Sequence, residues 1–225
     1  MHWLERWIFP PRCVVTDKLT ERWDIAAHLV EKWRPQLALC PRCAEISPKG
    51  LVCGRCLSTP PAFSRTQVAF LFEQELRDLV HQLKYGRQLH LTRLFAELMA
   101  QSFDAAGIEA LVPIPLHRSR LRERGYNQAL ELARMLSKPL DLPVINALSR
   151  PKAGLSQTHL NAQQRRQNLK AAFAFEPESL RGFTRVALVD DVITTGSTMQ
   201  SAGATLTHEQ PGLVVEAWAL AKTSC

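Results

Sequence analysis

The sequence lacks any long uninterrupted run of apolar residues. None of its hydrophobic stretches approaches the ~18 residues that a membrane-spanning helix requires, and the first residues show no apolar core of a secretory signal peptide. These absences exclude membrane-spanning proteins and lead us to expect a cytoplasmic protein. Because 46% of the residues are hydrophobic and 22% are charged, the composition is that of a globular chain rather than a disordered one.

Acidic residues are fewer than basic ones. The chain has 21 Asp and Glu against 28 Lys and Arg, which gives a formal charge of +7 and a pI near 9.3. This balance favours anionic partners such as phosphates, nucleotides or nucleic acid, although many basic proteins bind no nucleic acid. With 225 residues, the chain can form one substantial core and a small additional domain.

Cysteine is scarce, and four of the six cysteines form two Cys-x-x-Cys pairs. Cys40 and Cys43 make the first pair, and Cys53 and Cys56 make the second after a gap of nine residues. In a reducing compartment, two such pairs favour a closed tetrahedral zinc site over disulfides. Gly54 supplies the permissive backbone that the second turn needs. The sequence therefore predicts a structural Zn²⁺ ion bound by these four cysteines.

A fifth cysteine, Cys13, stands in a similar turn that lacks a second ligand, because Thr16 occupies the position three residues later. Two interpretations are open. Cys13 packs as a small hydrophobic residue, which we favour, or it replaces one of the four ligands. Cys225 is interpreted as a bystander.

Tryptophan is concentrated in the same N-terminal region, at Trp3, Trp7, Trp23 and Trp33. We expect these side chains to pack on the zinc module or to attach it to a larger domain. The alternative is a stacking platform for nucleic-acid bases. Because residues 58–61 read as a linker, we predict a zinc-binding, double-zinc-ribbon-like module at residues 1–61 and a second domain at residues 62–225.

The second domain alternates predicted strands with predicted helices. Strands are predicted at residues 66–72, 110–114, 144–148, 186–189 and 213–220. Helices are predicted around residues 76–83, 89–102, from 126 onward and at 199–208. This alternation predicts an α/β fold with a parallel sheet flanked by helices.

The clearest functional signal lies in residues 186–198. A short apolar run, read as a buried strand that ends where the acids begin, leads into Asp190 and Asp191. Small residues around a glycine then precede a helix: Thr194, Thr195, Gly196, Ser197 and Thr198. Hydroxyls and backbone N–H groups at a helix N-terminus bind phosphate, and two adjacent acids suit the hydroxyls of a phosphorylated ribose with Mg²⁺ nearby. The alternative is a plain strand-to-helix turn in which an aspartate and a serine cap the helix. It accounts for one cap and leaves the second acid and the run of four hydroxyls unexplained.

Basic residues are predicted to face the same crevice, because ligands bind at the carboxyl ends of parallel strands. Residues 115–125 are interpreted as a loop that carries Arg118, Arg120, Arg122 and Arg124, whose guanidiniums suit a diphosphate. A solvated basic loop is the alternative, and not all four can reach one ligand. Lys84 precedes a glycine at a helix end, where it reaches a phosphate or the helix C-terminus.

Residues 149–160 have the polar composition of a mobile loop or lid. They include His159, which is either a general acid or base or simply solvated.

Residues 186–198 resemble the ribose-phosphate loop of type I phosphoribosyltransferases. With Leu83-Lys-Tyr-Gly86, Val112-Pro-Ile-Pro115, Arg124-Gly-Tyr-Asn-Gln128 and the cysteine pairs, nearly the whole chain resembles the ComF/GntX family, the competence-associated, phosphoribosyltransferase-like proteins of bacteria. Thr16 departs from the family's cysteine pattern. The resemblance implies a phosphoribosyltransferase-like second domain and a role in handling incoming DNA, with Asp190 and Asp191 holding the ribose hydroxyls and residues 194–198 wrapping the 5-phosphate.

Two functions remain open at the level of sequence. The first is an enzyme that binds Mg²⁺-5-phosphoribosyl diphosphate and transfers the phosphoribosyl group to an unknown base, with Asp190 and Asp191 as its catalytic residues. The second is a non-catalytic protein that binds single-stranded DNA and uses the ribose-phosphate site as a sensor. Contacts of the module with DNA-uptake proteins are compatible with either.

Overall fold

A parallel sheet organises the larger part of the molecule in the computed structural model, which describes residues 10–21, 23–151 and 172–223. Its strands run in the order β1-β6-β5-β2. Their bounds are β1 (Arg65–Leu71), β2 (Ala110–Pro113), β5 (Arg185–Ile193) and β6 (Val214–Lys222). A separate antiparallel pair is formed by β3 (Leu148–Ser149) and β4 (Ala174–Phe175).

Helices cover the sheet and form the N-terminal region. In chain order they are α1 (Ala27–Trp33), α2 (Gly54–Ser58), α3 (Gln74–Tyr85), α4 (His90–Ser102), α5 (Arg118–Arg124), α6 (Gln128–Leu140) and α7 (Ser197–Glu209). A short 3-10 helix spans Pro48–Gly50. Within the described ranges, no helix has both the length and the apolar character needed to cross a bilayer.

The strands of the sheet are buried on both faces, as the continuous apolar runs predict. In β5, Ala187 and Val189 belong to one core cluster, which includes residues of α3, α4 and α6. Val186 and Leu188 belong to a second cluster, which includes residues of α7. The predicted parallel sheet flanked by helices is therefore confirmed, and its carboxyl edge is fixed by packing from both sides.

The N-terminal region shares the first of these core clusters. Trp33 is fully buried, and its ring meets that of Phe70 edge-on with 5.8 Å between centroids. Trp23 also packs against this cluster, so packing is confirmed for these two residues, whereas Trp3 and Trp7 lie outside the described residues. Cys13 is 1% exposed in the same cluster, which confirms that it packs as a small hydrophobic residue.

Several predicted boundaries were wrong. β5 continues through both acids to Ile193, because Asp190 and Val192 still pair with β6. Residues 118–124 form helix α5 instead of a loop, and the next helix begins at Gln128 because Asn127 caps it. The strand predicted at 144–148 is reduced to one bridge at Val144 and the short β3.

Candidate functional site: the carboxyl edge of the sheet and the four-cysteine cluster

The carboxyl ends of β2 and β5 lie side by side. The main-chain N–H of Ile114 donates to the carbonyl oxygen of Val189 at 2.9 Å, which keeps the two strands paired up to the first acid. The acids therefore leave β5 next to the segment that leads from β2 into α5. This arrangement brings together the two sequence regions that were expected to share one crevice.

Asp191 is 6% exposed and forms an ion pair with Lys84. Its Oδ2 lies 2.7 Å from the Nζ of Lys84, and its Oδ1 accepts a hydrogen bond from the N–H of Val192 at 2.8 Å. The structure thus places the ammonium of Lys84 on an acid, whereas the sequence predicted a phosphate or the helix C-terminus. One of the two negative charges is neutralised within the protein.

Asp190 is half-buried, and its carboxyl has a very different environment. Burial and the neighbouring charge of Asp191 raise the pKa of Asp190 to about 8, although the Asp191 N–H at 2.9 Å and Lys84 oppose this shift. At neutral pH the carboxyl therefore mostly keeps its proton. A cation or hydrogen-bonding hydroxyls placed beside it would favour the ionised form.

The turn after β5 has the backbone of an anion-binding site. Gly196 adopts a left-handed conformation with φ of 77° and forms the N-cap of α7, without a side chain to cap the helix. The hydroxyl of Thr195 lies 3.1 Å from that of Ser197, and both residues are exposed, as is Thr194. Thr198 is half-buried in the first turn of α7. The predicted cluster of hydroxyls around Gly196 is therefore present at the helix N-terminus.

The four arginines of α5 fall into two groups. Arg118, Arg120 and Arg122 are exposed. Arg124 instead lies over the ring of Tyr85, 4.9 Å from its centroid, and donates hydrogen bonds to the Tyr85 hydroxyl and to the Gln128 side chain, each at 3.1 Å. Only three of the four guanidiniums are therefore directed at solvent.

The motifs that carried the family resemblance contact one another. Tyr126 donates its hydroxyl to the carbonyl oxygen of Leu83, and Arg124 packs on Tyr85. Asn127 donates from its side chain to the Ile114 carbonyl at 3.0 Å and thereby fixes the end of β2. These contacts attach α3 and the start of α6 to the carboxyl edge, so that Lys84 is held opposite Asp191.

Sequence reasoning missed Arg150 as a residue of this edge. Its guanidinium lies 5.3 Å from the ring centroid of Phe173. Burial and the charge of Arg120 lower the pKa of Arg150, while Asp190 acts in the opposite direction. Arg150 therefore lies near Arg120 and Asp190. Its position directly after β3 is the sequence feature that could have identified it. His159 and the remainder of the predicted lid from residue 152 onward lie outside the described residues.

The four predicted metal ligands, Cys40, Cys43, Cys53 and Cys56, come together. Their sulfur atoms lie within 4.8 Å of one another, and those of Cys43 and Cys53 are 3.6 Å apart. A tetrahedral ion with metal–sulfur bonds of about 2.3 Å requires separations of roughly 3.8 Å, so the cluster fits such an ion. Burial would raise the pKa of Cys40, but backbone N–H groups from Cys53, Cys43 and Arg42 lower it to about 6. The cluster could therefore hold a metal ion.

The turn at Cys13 repeats the backbone of the first cysteine pair without its second sulfur. The N–H of Asp17 donates to the Cys13 carbonyl at 2.7 Å, as Ala44 does to Cys40 at 2.9 Å. Asp17 and Ala44 also share a positive φ, 55° and 56°. Thr16 takes the place of the second thiol. The turn therefore has the same backbone although, in the part of the chain that the structure describes, Cys13 belongs to no group of metal ligands.

Comparison with known proteins identifies relatives over most of the chain. No protein-family model matches it. The chain is 38% identical to Competence protein F of Haemophilus influenzae over 156 residues, which are 65% of this chain and 68% of that protein. It is 33% identical to the DNA utilization protein YhgH of Salmonella typhimurium over 210 residues, 89% of this chain and 91% of the relative. Among solved structures, an adenine phosphoribosyltransferase from Leishmania donovani is similar with 12% identity and a TM-score of 0.32, covering 87% of this chain and 78% of that one.

Proposed function

This chain belongs to the ComF family of competence and DNA-utilization proteins, and from that premise we propose that it binds Mg²⁺-complexed 5-phosphoribosyl diphosphate at the carboxyl edge of its sheet. It serves natural competence or the use of DNA, and it transfers the phosphoribosyl group to a base whose identity is unknown. The relatives' names support the role in DNA uptake or utilisation, and the residues of the edge support the ligand.

The observation that carries the proposal is the order of groups along β5 and α7. Two carboxyl groups near the end of a buried strand are followed, after four intervening residues, by a left-handed Gly196 and an α7 N-terminus surrounded by hydroxyls. A sugar with hydroxyls and a 5-phosphate presents the complementary groups in the same order. A plain turn would use one cap and would not need a second acid whose charge is balanced by Lys84.

Each group of the edge has a part in this proposal. Asp190 and Asp191 hold the ribose hydroxyls, and residues 194–198 bind the 5-phosphate through hydroxyls and backbone N–H groups. Arg118, Arg120 and Arg150 stabilise the negative charge that develops on the diphosphate as its bond to the sugar breaks and a nitrogen of the base bonds to the same carbon. Mg²⁺ prefers oxygen ligands and supplies further positive charge to the diphosphate.

The four-cysteine cluster has a structural role in the proposal. We assign Zn²⁺ to it, because a closed set of four thiolates at tetrahedral spacing is the usual ligand set of structural zinc. A reduced cluster of this kind also supports a cytoplasmic location.

Titration calorimetry with 5-phosphoribosyl diphosphate and Mg²⁺ tests the binding proposal. The double variant Asp190→Asn, Asp191→Asn keeps the side-chain shapes and should weaken binding at least tenfold, since several charge-assisted contacts are lost. Asp78→Asn, an exposed acid on α3, is the matched control and should bind as the wild type does. Equal affinity in the double variant would remove the proposal. Release of diphosphate in the presence of a panel of bases would then identify the acceptor.

A second candidate is supported by the three exposed arginines of α5. With the formal charge of +7, they favour a non-catalytic protein that binds single-stranded DNA and senses a ribose phosphate. Binding of a fluorescent single strand should weaken steeply as salt rises, because phosphate contacts release counterions. Absence of binding at low salt contradicts this candidate. DNA binding favours it over the enzyme if no base in the panel causes 5-phosphoribosyl diphosphate to release diphosphate.

A further inference from the structure

A buried lysine joins the cysteine module to the turn that follows the two acids. Lys222 ends β6 and is 2% exposed. Its Nζ donates to the carbonyl oxygens of Thr194 at 3.0 Å and Thr223 at 2.8 Å, and it lies 2.8 Å from Oε1 of Glu45. Burying an ammonium is costly unless it is well partnered, so these three oxygen atoms and the lysine hold one another in place.

One end of this link lies in the cysteine module, and the other lies in the turn that follows β5. Glu45 follows the first cysteine pair, and its carbonyl oxygen accepts the N–H of Cys40 at 2.7 Å, so the turn around the ligands fixes its backbone. Thr194 is the first residue after β5 and opens the turn around Gly196. A single ammonium therefore connects the turn of the first cysteine pair with the start of the turn around Gly196.

Ala62, the residue directly after the linker, packs against α7, the helix that begins at this turn. The N–H of Ala62 donates to the side-chain oxygen of Gln200 at 2.9 Å. A Cβ on Gly203 would lie 3.0 Å from the carbonyl oxygen of Ala62, so α7 approaches the linker closely where it has no side chain. The chain that leaves the module is thus held against α7 at Ala62, while Glu45 of the module contacts Lys222.

A cavity of about 300 Å³ separates the cysteine cluster from the turn. Cys43, Arg55 and Cys56 line it on the side of the module, and Thr195, Gly196 and Ser197 line it on the other side. The turn therefore has a gap rather than packed side chains on this side. Its position depends correspondingly more on the hydrogen bond between Lys222 and Thr194.

We propose that Lys222 is a positioning residue that couples the four-cysteine centre to the ribose-phosphate turn. While the metal fixes the first cysteine turn, Glu45 holds Lys222 and Lys222 holds Thr194. When the metal is lost, Glu45 moves with its turn and residues 194–198 lose this anchor. The assignment of a ribose phosphate to the turn rests on the proposed function, whereas the mechanical link between metal centre and turn does not.

Two variants break the link at different points. Lys222→Met removes the ammonium and keeps a side chain of similar length, and Glu45→Gln removes only the charge of its partner. Lys32→Met is the matched control, because Lys32 of α1 pairs with Glu75 of α3 at 2.6 Å and so joins the same two parts of the chain through residues that do not contact the turn. The measurements are metal content, amide hydrogen exchange of residues 193–198, and calorimetric affinity for 5-phosphoribosyl diphosphate with Mg²⁺.

We expect both link variants to retain their metal, to exchange the amides of residues 193–198 faster, and to bind the ligand about 5- to 150-fold more weakly, the usual range for coupled sites. The control should match the wild type in all three measurements. Chelation of the metal should accelerate the same amides in the wild type but add little in Lys222→Met, since both changes act on one link.

Unchanged exchange and affinity in the link variants would overturn the inference. Glu45→Gln decides the matter if Lys222→Met does not fold, because it leaves the buried lysine in place. If the wild type binds no 5-phosphoribosyl diphosphate, the proposed function fails, and hydrogen exchange alone then decides whether the metal centre positions the turn.

Discussion

The cysteine module and the carboxyl edge of the sheet both concentrate groups of like charge, but they balance them in different ways. Four cysteine sulfurs within 4.8 Å of one another need a cation from outside the chain once they ionise. The two acids of the edge are balanced internally, because Lys84 pairs with Asp191 and burial keeps the proton on Asp190. A metal ion would therefore complete the cysteine cluster, whereas a ligand at the edge would have to compete with groups already in place.

The largest effect is expected from breaking the cysteine cluster. Cys40→Ser should abolish stoichiometric metal binding and lower the free energy of unfolding by about 3 kcal/mol or more, because metal binding and folding of such modules are coupled. Metal analysis by mass spectrometry and denaturant unfolding test this. A variant that keeps one equivalent of metal and the wild-type midpoint would contradict it.

The next largest effect concerns the ion pair between Lys84 and Asp191 at the carboxyl edge of the sheet. Lys84→Met leaves Asp191 buried without its cation and should lower the free energy of unfolding by about 2–4 kcal/mol. Adding Asp191→Asn should restore part of this loss, because the unpaired charge is removed. Lys18→Met, which changes an exposed lysine, is the control for denaturant unfolding. An additive double variant would show that the pair is not coupled.

A different kind of effect should appear as a dependence of the free energy of unfolding on pH. The pKa of Asp190 is raised to about 8 in the folded chain, against about 3.9 when unfolded. Between these values the folded state binds the additional proton, so this residue's contribution to stability falls as pH rises from about 4 to 8. Asp190→Asn should remove that slope and gain stability relative to wild type toward pH 8. If the free energy of unfolding changed with pH in the same way for both proteins from pH 5 to 8, the raised pKa would be refuted.

The smallest effect is expected at the turn that contains Cys13. Cys13→Ser places a hydroxyl in the core and should cost about 1–2 kcal/mol in the free energy of unfolding. The metal content should stay unchanged, in contrast to Cys40→Ser. Loss of metal from Cys13→Ser would show that the two turns are not independent.

The strands and the cysteine cluster could be predicted because local pattern determines them. Apolar runs indicated β1, β2, β5 and β6. The spacing of the cysteines predicted which four of them form the cluster. The helix α5 was missed because it carries alternating arginines and no apolar stripe, so only its caps mark it: His117 accepts from the N–H of Ser119, and Gly125 adopts a left-handed conformation. The strand at residues 144–148 failed because only Val144 has a partner in the sheet.

Long-range pairing accounts for the other misses. No local signal shows that β5 runs past the acids, because that extension depends on pairing with a strand that follows it by more than twenty residues. Lys222 was not singled out, since a lysine at a strand end is ordinarily exposed. Two of the groups that partner it when buried, Glu45 and Thr194, are far away in sequence. Arg150 was missed for the same reason, because Asp190 and Phe173 approach it only in the folded chain.

The order of the sheet constrains how the protein folds as it is synthesised. Among residues 10–21, 23–151 and 172–223, the strand that pairs with β1 is β6, so this pairing cannot form until residues 214–222 have been made. At roughly 5–20 residues per second, that delay lasts on the order of ten seconds. The four cysteines of the cluster, by contrast, are made before any strand of this sheet, so the cluster could bind a metal ion early. A metal-loaded cluster could thus be present on the nascent chain before β6 inserts between β1 and β5 and completes the sheet.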